Sequence, residues 1–371
     1  GYGLFKLLSV SRAWQFFLKS SSVLWNRIAY GEGRMSVNQI RLSLVLSKNV
    51  PLYLEILLQD HFSDSPLIMA DLLKNDTHRI REILMQHHSR YDGEPLIRDL
   101  LFRDTLSVLR GLGTFSTCEC LTYIGSPMDG LIQVDGRELP DMPAIRHLIG
   151  FSLDSSTLDI NLNTVMHFSS ASSAYSLEPI LQRCTRLQQL DLLDTLEQNI
   201  NFREPSKLPS LEVLVFDRSG VSNIRPLLML KGDRLKTLHL KLQWFELADM
   251  TFLSHLPILT HLSIDFVLPK YTIRELSINI PPLPKVEEFH FNERSEAPDQ
   301  KYDGTPPSLE NLFTALIQNV LQPRTLSFDL FRPVPPRLML RYLRSLKNLE
   351  DLQYHHENPY TEVLNEPPTR L

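Results

Sequence analysis

The chain has 371 residues, 43% of them hydrophobic and 22% charged, and its 38 Lys and Arg against 43 Asp and Glu give a formal charge of −5. That length can bury a large core, and the dispersed positive residues give no electrostatic case for nucleic acid or an anionic membrane. Three cysteines, Cys118, Cys120 and Cys184, are too few for a disulfide framework or a four-ligand zinc site, and no apolar run approaches the roughly 20 residues of a membrane span. Protein partners, no cofactor, no metal and a reducing cytoplasmic or nuclear compartment are therefore expected.

Residues 1–34 read as a small helical unit. Leu4, Leu7 and Leu8, then Val10, Trp14, Phe17 and Leu18, recur at three- and four-residue steps. Ser20, Ser21 and Ser22 offer hydroxyls to cap a second short helix, whose apolar side would be Val23, Leu24, Trp25 and Ile28. Residues 35–78 read as a linker: an amphipathic stretch from Ile40 to Leu46, then the alternating segment Pro51 to Leu58 as a first strand.

From 79 to 354 a phrase returns. Leu187-x-x-Leu190-x-Leu192, Leu211-x-x-Leu214-x-Phe216, Leu235-x-x-Leu238-x-Leu240 and Leu259-x-x-Leu262-x-Ile264 each start 24 residues after the last. Ile80-x-x-Ile83-x-Met85 precedes them, with candidates at Ile97-x-x-Leu100-x-Phe102, Leu121-x-x-Ile124-x-Ser126 and Ile145-x-x-Leu148-x-Gly150. Between Ile145 and Leu187 the run Ser169 to Ser173 predicts an irregular repeat with a loop, followed by a helix carrying Tyr175, Leu177, Ile180 and Leu181, with Cys184 one turn further on. Beyond Leu259 come Val286-x-x-Phe289-x-Phe291, Leu326-x-Phe328 and Leu349-x-x-Leu352-x-Tyr354, with an extra candidate strand at Ile273-x-x-Leu276-x-Ile278. Residues 292–307, charged and proline-bearing, predict a surface loop. Leu309, Leu312, Phe313, Leu316, Ile317, Val320 and Leu321 predict a helix, and 355–371 reads as a polar tail that frays or covers the end of the stack.

A period of 24 with this phrase resembles leucine-rich repeats, in which each strand and its return segment bury an apolar side only against neighbours. The expected fold is α/β: a leucine-rich-repeat solenoid, with a curved parallel sheet and a helical or irregular convex side, preceded by the helical unit. Side chains alternate along a strand, so the residues flanking the second leucine point outward: Gln189 and Asp191, Val213 and Val215, Thr237 and His239, His261 and Ser263, Glu288 and His290. These form the candidate substrate-binding face. Its three histidines come from adjacent repeats and would lie near enough to bind a metal or sense pH, but polar residues on an exposed sheet need no such function. His87-His88 and His355-His356 lack spaced ligand partners, Cys118-x-Cys120 stands without a second pair, and no nucleotide, hydrolase or zinc-protease signature occurs. Nothing points to catalysis.

The phrase Leu4-Phe-Lys-Leu-Leu-Ser-Val-Ser-Arg-Ala-Trp14, followed by Phe17-Leu18 and Val23-Leu-Trp-Asn-Arg-Ile28, resembles the second half of an F-box, with Ser11 where that motif usually has cysteine. Pro51 to Ile56 and His78 to Ile83 resemble linker strands of fungal F-box proteins with irregular leucine-rich repeats. The resemblance implies a non-catalytic substrate receptor of a cullin-RING ubiquitin ligase. It would dock on a Skp-type linker subunit through Leu4, Leu7, Leu8, Val10, Trp14, Leu24 and Trp25, and would hold a protein substrate on the repeats, so that proximity does the work. The first helix of an F-box does not precede Gly1, which a fragment would explain. The alternative is a leucine-rich-repeat scaffold without ligase association.

Overall fold

A computed structural model describes residues 2–31, 34–58, 65–87, 95–125, 133–154, 162–171, 178–193, 208–217, 234–243, 250–268, 279–295, 309–320, 322–330 and 334–356. The chain divides into two compact units, Gly1–Leu187 and Gln188–Leu371.

The first unit opens with α1 (Tyr2–Leu7), α2 (Arg12–Ser20) and a helical turn at Ser22–Trp25. Ser11 is the N-cap of α2, its hydroxyl accepting the Trp14 N–H at 3.3 Å, which satisfies one of the orphan donors of the first turn. The serine run does not cap the turn as expected: Ser21 makes no side-chain cap bond, and the Ser20 hydroxyl donates back to the Phe17 carbonyl. Ile28 lies in a strand rather than a helix. That strand, β1 (Arg27–Tyr30), pairs in parallel with β2 (Leu52–Leu58), so strands begin well before residue 79. Between them, α3 (Val37–Ser47) starts with a capping box in which Ser36 and Gln39 serve each other's backbone N–H.

Then follow α4 (Ser65–Leu73), β3 (Ile80–His87), α5 (Pro95–Gly111), β4 (Cys120–Ile124), β5 (Gln133–Asp135), β6 (His147–Ile149), β7 (Ser152–Asp154), β8 (His167–Ala171) and α6 (Glu178–Arg183). Strands β1, β2, β3, β4, β6 and β8 pair in parallel in that order, and β5 pairs with β7 separately. Three expectations are corrected here. The Ile97 phrase is part of α5: Phe102, Leu106 and Leu109 are buried at i, i+4 and i+7 while Leu100 is exposed, the signature of a helix rather than a strand. At β4 the buried residues are Cys118, two positions before the strand, and Leu121 and Tyr123 within it, whereas Ile124 is exposed, so the phrase starts three residues earlier than the leucine spacing indicates. And the interval from Ile145 to Leu187 holds another complete repeat, Val165-x-x-Phe168-x-Ser170, in which Ser169 and Ser170 lie buried in β8 rather than in a loop.

The second unit contains β9 (Gln189–Leu193), β10 (Val213–Asp217), β11 (Thr237–Gln243), β12 (His261–Leu268), β13 (Glu288–Ser295), α7 (Leu309–Asn319), β14 (Thr325–Leu330), α8 (Pro336–Ser345) and β15 (Asp351–His356). Its strands pair in parallel, each with the next in chain order and without a register shift. Residues 292–295, expected in a loop, continue β13, and His355 and His356, expected in the tail, complete β15. The candidate strand at 273–278, the rest of the 292–307 segment, Tyr175, Leu177 and residues 357–371 lie outside the described residues.

A turn repeats ahead of many strands. The N–H of the residue that opens the phrase donates to the carbonyl three positions earlier: Cys118 to Phe115, Ile145 to Met142, Val165 to Leu162, Leu187 to Cys184, Leu211 to Leu208, Leu259 to Leu256 and Val286 to Leu283. All seven acceptor residues are buried, so the full apolar pattern is Φ-x-x-Φ-x-x-Φ-x-Φ. Cys118 and Cys184 occupy apolar slots of this pattern, and burial pushes each thiol up to about 12, which leaves them un-ionised and unreactive. The next residue's carbonyl then takes two bonds: Glu212 accepts from Lys236 and Thr237, Lys236 from Thr260 and His261, Thr260 from Glu287 and Glu288. The core behind the strands is aliphatic at Leu190, Leu214 and Leu238. It turns aromatic toward the C-terminal strands, where the Phe313 ring lies 5.4 Å from Phe328 and 6.0 Å from Tyr342.

Candidate binding surfaces

Alternation along β9 to β13 puts Leu190, Leu214, Leu238, Leu262 and Phe289 in the core and turns their neighbours out. All ten residues expected on the outward face are partly or fully exposed. The pairing lines them into two rows, Gln189, Val213, Thr237, His261, Glu288 and Asp191, Val215, His239, Ser263, His290.

The three histidines do not converge. His239 and His290 share a row but Ser263 stands between them, and His261 lies in the other row. Among the described residues no group of three His, Cys, Asp or Glu is arranged to hold a metal. His261 is instead tied down locally: its Nδ1 lies 2.7 Å from the Thr260 hydroxyl, and its Nε2 lies 3.1 Å from Glu288 Oε1 on the next strand. Loss of solvent holds His239 below its ordinary pKa, reinforced by His290, while Asp265 and Asp191 act the other way.

Two features of this face escape the six-residue phrase. Because β11 and β12 run past it, a third outward row forms from Lys241, Asp265, Asn292 and Asp329, with the Asn292 amide donating to Asp265 at 2.6 Å. The continued alternation Leu240-Lys241-Leu242 was the available signal. At the entry of the strands, the second residue of the phrase is charged at Glu212, Lys236 and Glu287, with Lys236 3.2 Å from Glu212. The first unit repeats that device in Arg81 and Glu119, 2.9 Å apart. On its own outward face the His147 and His167 rings stand 5.9 Å apart in register, and loss of solvent followed by His167 lowers the pKa of His147.

The seven N-terminal residues separate by burial. Trp14 is 43% exposed, and Val10 and Leu24 are exposed with it, as are Phe16, Phe17 and Val23, which the expected docking set left out. Leu4, Leu7 and Leu8 are half-buried. Trp25 is the correction: it is 1% exposed, its Nε1 donates to the Leu18 carbonyl at 2.7 Å, and its ring meets Phe5 at 5.3 Å. A buried Trp whose N–H is satisfied is a core residue, so it is no part of an exposed surface.

No family model and no curated protein matches the chain. Among solved structures, a protein from Bacteroides fragilis aligns over 77% of this chain and 69% of its own at 12% identity, with a TM-score of 0.30. A likeness of that size carries no argument about fold or function. No helix among the described residues is long and apolar enough to cross a membrane.

Proposed function

We propose that the chain is a non-catalytic, protein-binding receptor built on leucine-rich repeats. Its N-terminal helices dock a Skp-type linker subunit of a cullin-RING ubiquitin ligase, and its outward strand rows hold a protein substrate. One observation carries the docking half: Trp14, Phe16, Phe17, Val23 and Leu24 stand exposed on short helical segments and Val10 in the turn before α2, and large apolar side chains at a surface mark an interface. Three of them, Val10, Trp14 and Leu24, are residues that the F-box resemblance assigns to docking. The substrate half is supported by rows of mixed polar and apolar residues on a parallel sheet, the kind of surface that repeat proteins present to partners. The reading places the protein in the cytoplasm or nucleus.

Co-expression with a Skp-type linker subunit tests it. A complex that co-purifies, and is lost on Trp14→Glu with Leu24→Glu while the far-ultraviolet circular dichroism is unchanged, supports the reading. Retained binding by that folded variant sinks the docking assignment. A folded wild-type chain that does not bind leaves a repeat scaffold without ligase association. Trp25 is unsuitable for this test, because replacing it opens the core.

A further inference from the structure

β15 ends the strand run of the second unit, and among the described residues no strand pairs with its outer edge. Leu352 and Tyr354 continue the inward rows of Leu326 and Phe328, which are wholly buried, yet each is 41% exposed. The backbone phase is fixed by the Asp351 N–H, which donates to the Arg324 carbonyl beside β14. N–H and C=O alternate sides along a strand, so Asp351, Gln353 and His355 direct theirs toward β14, and Leu352 and Tyr354 direct theirs to the open edge. An unpaired edge with exposed apolar side chains is a template for another strand.

We infer that this strand is the interface of a homodimer, in which β15 of two copies pair antiparallel about a two-fold axis through Gln353. The strand is its own complement in that register. Leu352 meets Tyr354 of the second copy, and these are the residues whose outward N–H and C=O groups exchange hydrogen bonds. Gln353 faces Gln353, and Asp351 faces His355, an acid opposite a base, at the non-hydrogen-bonded positions where side chains lie closest. The inward apolar rows of the two copies then become continuous. A two-fold operator needs such self-complementarity and closes the assembly at two chains.

The register is tested by cysteine placement on the whole chain. Gln353→Cys puts two thiols on the axis with Cα atoms about 4.5 Å apart, within disulfide reach, so mild oxidation should yield a covalent dimer on a non-reducing gel. Asp351→Cys, several residues from its symmetry mate, should not. Sedimentation equilibrium should find a wild-type dimer. Leu352→Pro removes an edge N–H without touching the ladder to β14 and should give a folded monomer. Should that variant fail to fold, Asp351→Lys leaves the backbone intact and should raise the dimer dissociation constant about tenfold. A wild-type monomer at every concentration overturns the proposal. Equal cross-linking from both cysteine variants, a Leu352→Pro dimer, or an Asp351→Lys dimer as tight as wild type does so too.

Discussion

In the second unit β9 to β12 follow one another at 24 residues, whereas in the first unit 38 residues separate Ile83 from the Leu121 it pairs with, and only 20 separate Leu148 from Phe168. The strand geometry is nonetheless shared: the same turn precedes the phrase, and the same double acceptance occurs at Glu119 and Arg146 as at Glu212 and Lys236. What varies is the return segment, which in the first unit includes α5 with its 17 residues. Regular spacing is thus a property of the return path, and the repeat itself resides in the nine-residue apolar pattern.

The largest effect that would separate the units is expected at Gly150, which has no counterpart among the described residues of the second. It sits at φ +82°, and a Cβ there would come 2.1 Å from the Tyr123 carbonyl oxygen. Gly150→Val should cost roughly 3 kcal/mol or more of unfolding free energy by urea titration. A loss below about 1 kcal/mol would show that β4 and β6 are not held at that distance. Next, core truncation should treat the units alike: Phe168→Ala and Leu262→Ala, both fully buried, should each cost about 2–5 kcal/mol. A markedly cheaper Phe168→Ala would mark the irregular repeat as loosely packed.

A smaller effect concerns pH. Folding holds His147 and His239 below the ordinary 6.5, so as pH falls the unfolded chain takes up protons first. Stability should therefore decline from about pH 6.5 downward and level off once the folded rings are protonated. His147→Gln and His239→Gln should each flatten that slope in thermal melts at stepped pH, and an unchanged slope would show that neither ring contributes. The smallest effect is expected from the entry-edge ion pairs. Lys236→Ala and Arg81→Ala, both at exposed pairs, should change stability by about 1 kcal/mol or less.

These contrasts also explain what could be read from the chain. The α/β class, the strands of the second unit and the outward placement of its ten residues were legible, because strict alternation and a constant spacing reinforce one another. Reading failed where one pattern serves two structures. Ile97-x-x-Leu100 satisfies i, i+3 on a helix as well as a strand entry, and only the further burial of Leu106 and Leu109 decides for the helix. It failed also where a polar residue fills an apolar slot: Ser170 follows Phe168 in β8 and is buried. The fate of Trp25 was not legible, since a tryptophan that resembles a docking residue and one that bonds the Leu18 carbonyl look identical in sequence. Pairing distances such as that of His147 and His167 require the register, which no single strand contains.

The double acceptance at the strand entry bears on how the second unit acquires its structure. Each strand there is bonded to those beside it in chain order, so adding one closes only a single return segment and never joins distant parts of the chain. Contacts of that range favour fast ordering that starts at any strand and spreads both ways. A defect in the middle, such as a truncated Leu262, should then split the unit into two separately melting blocks rather than dissolve it as a whole.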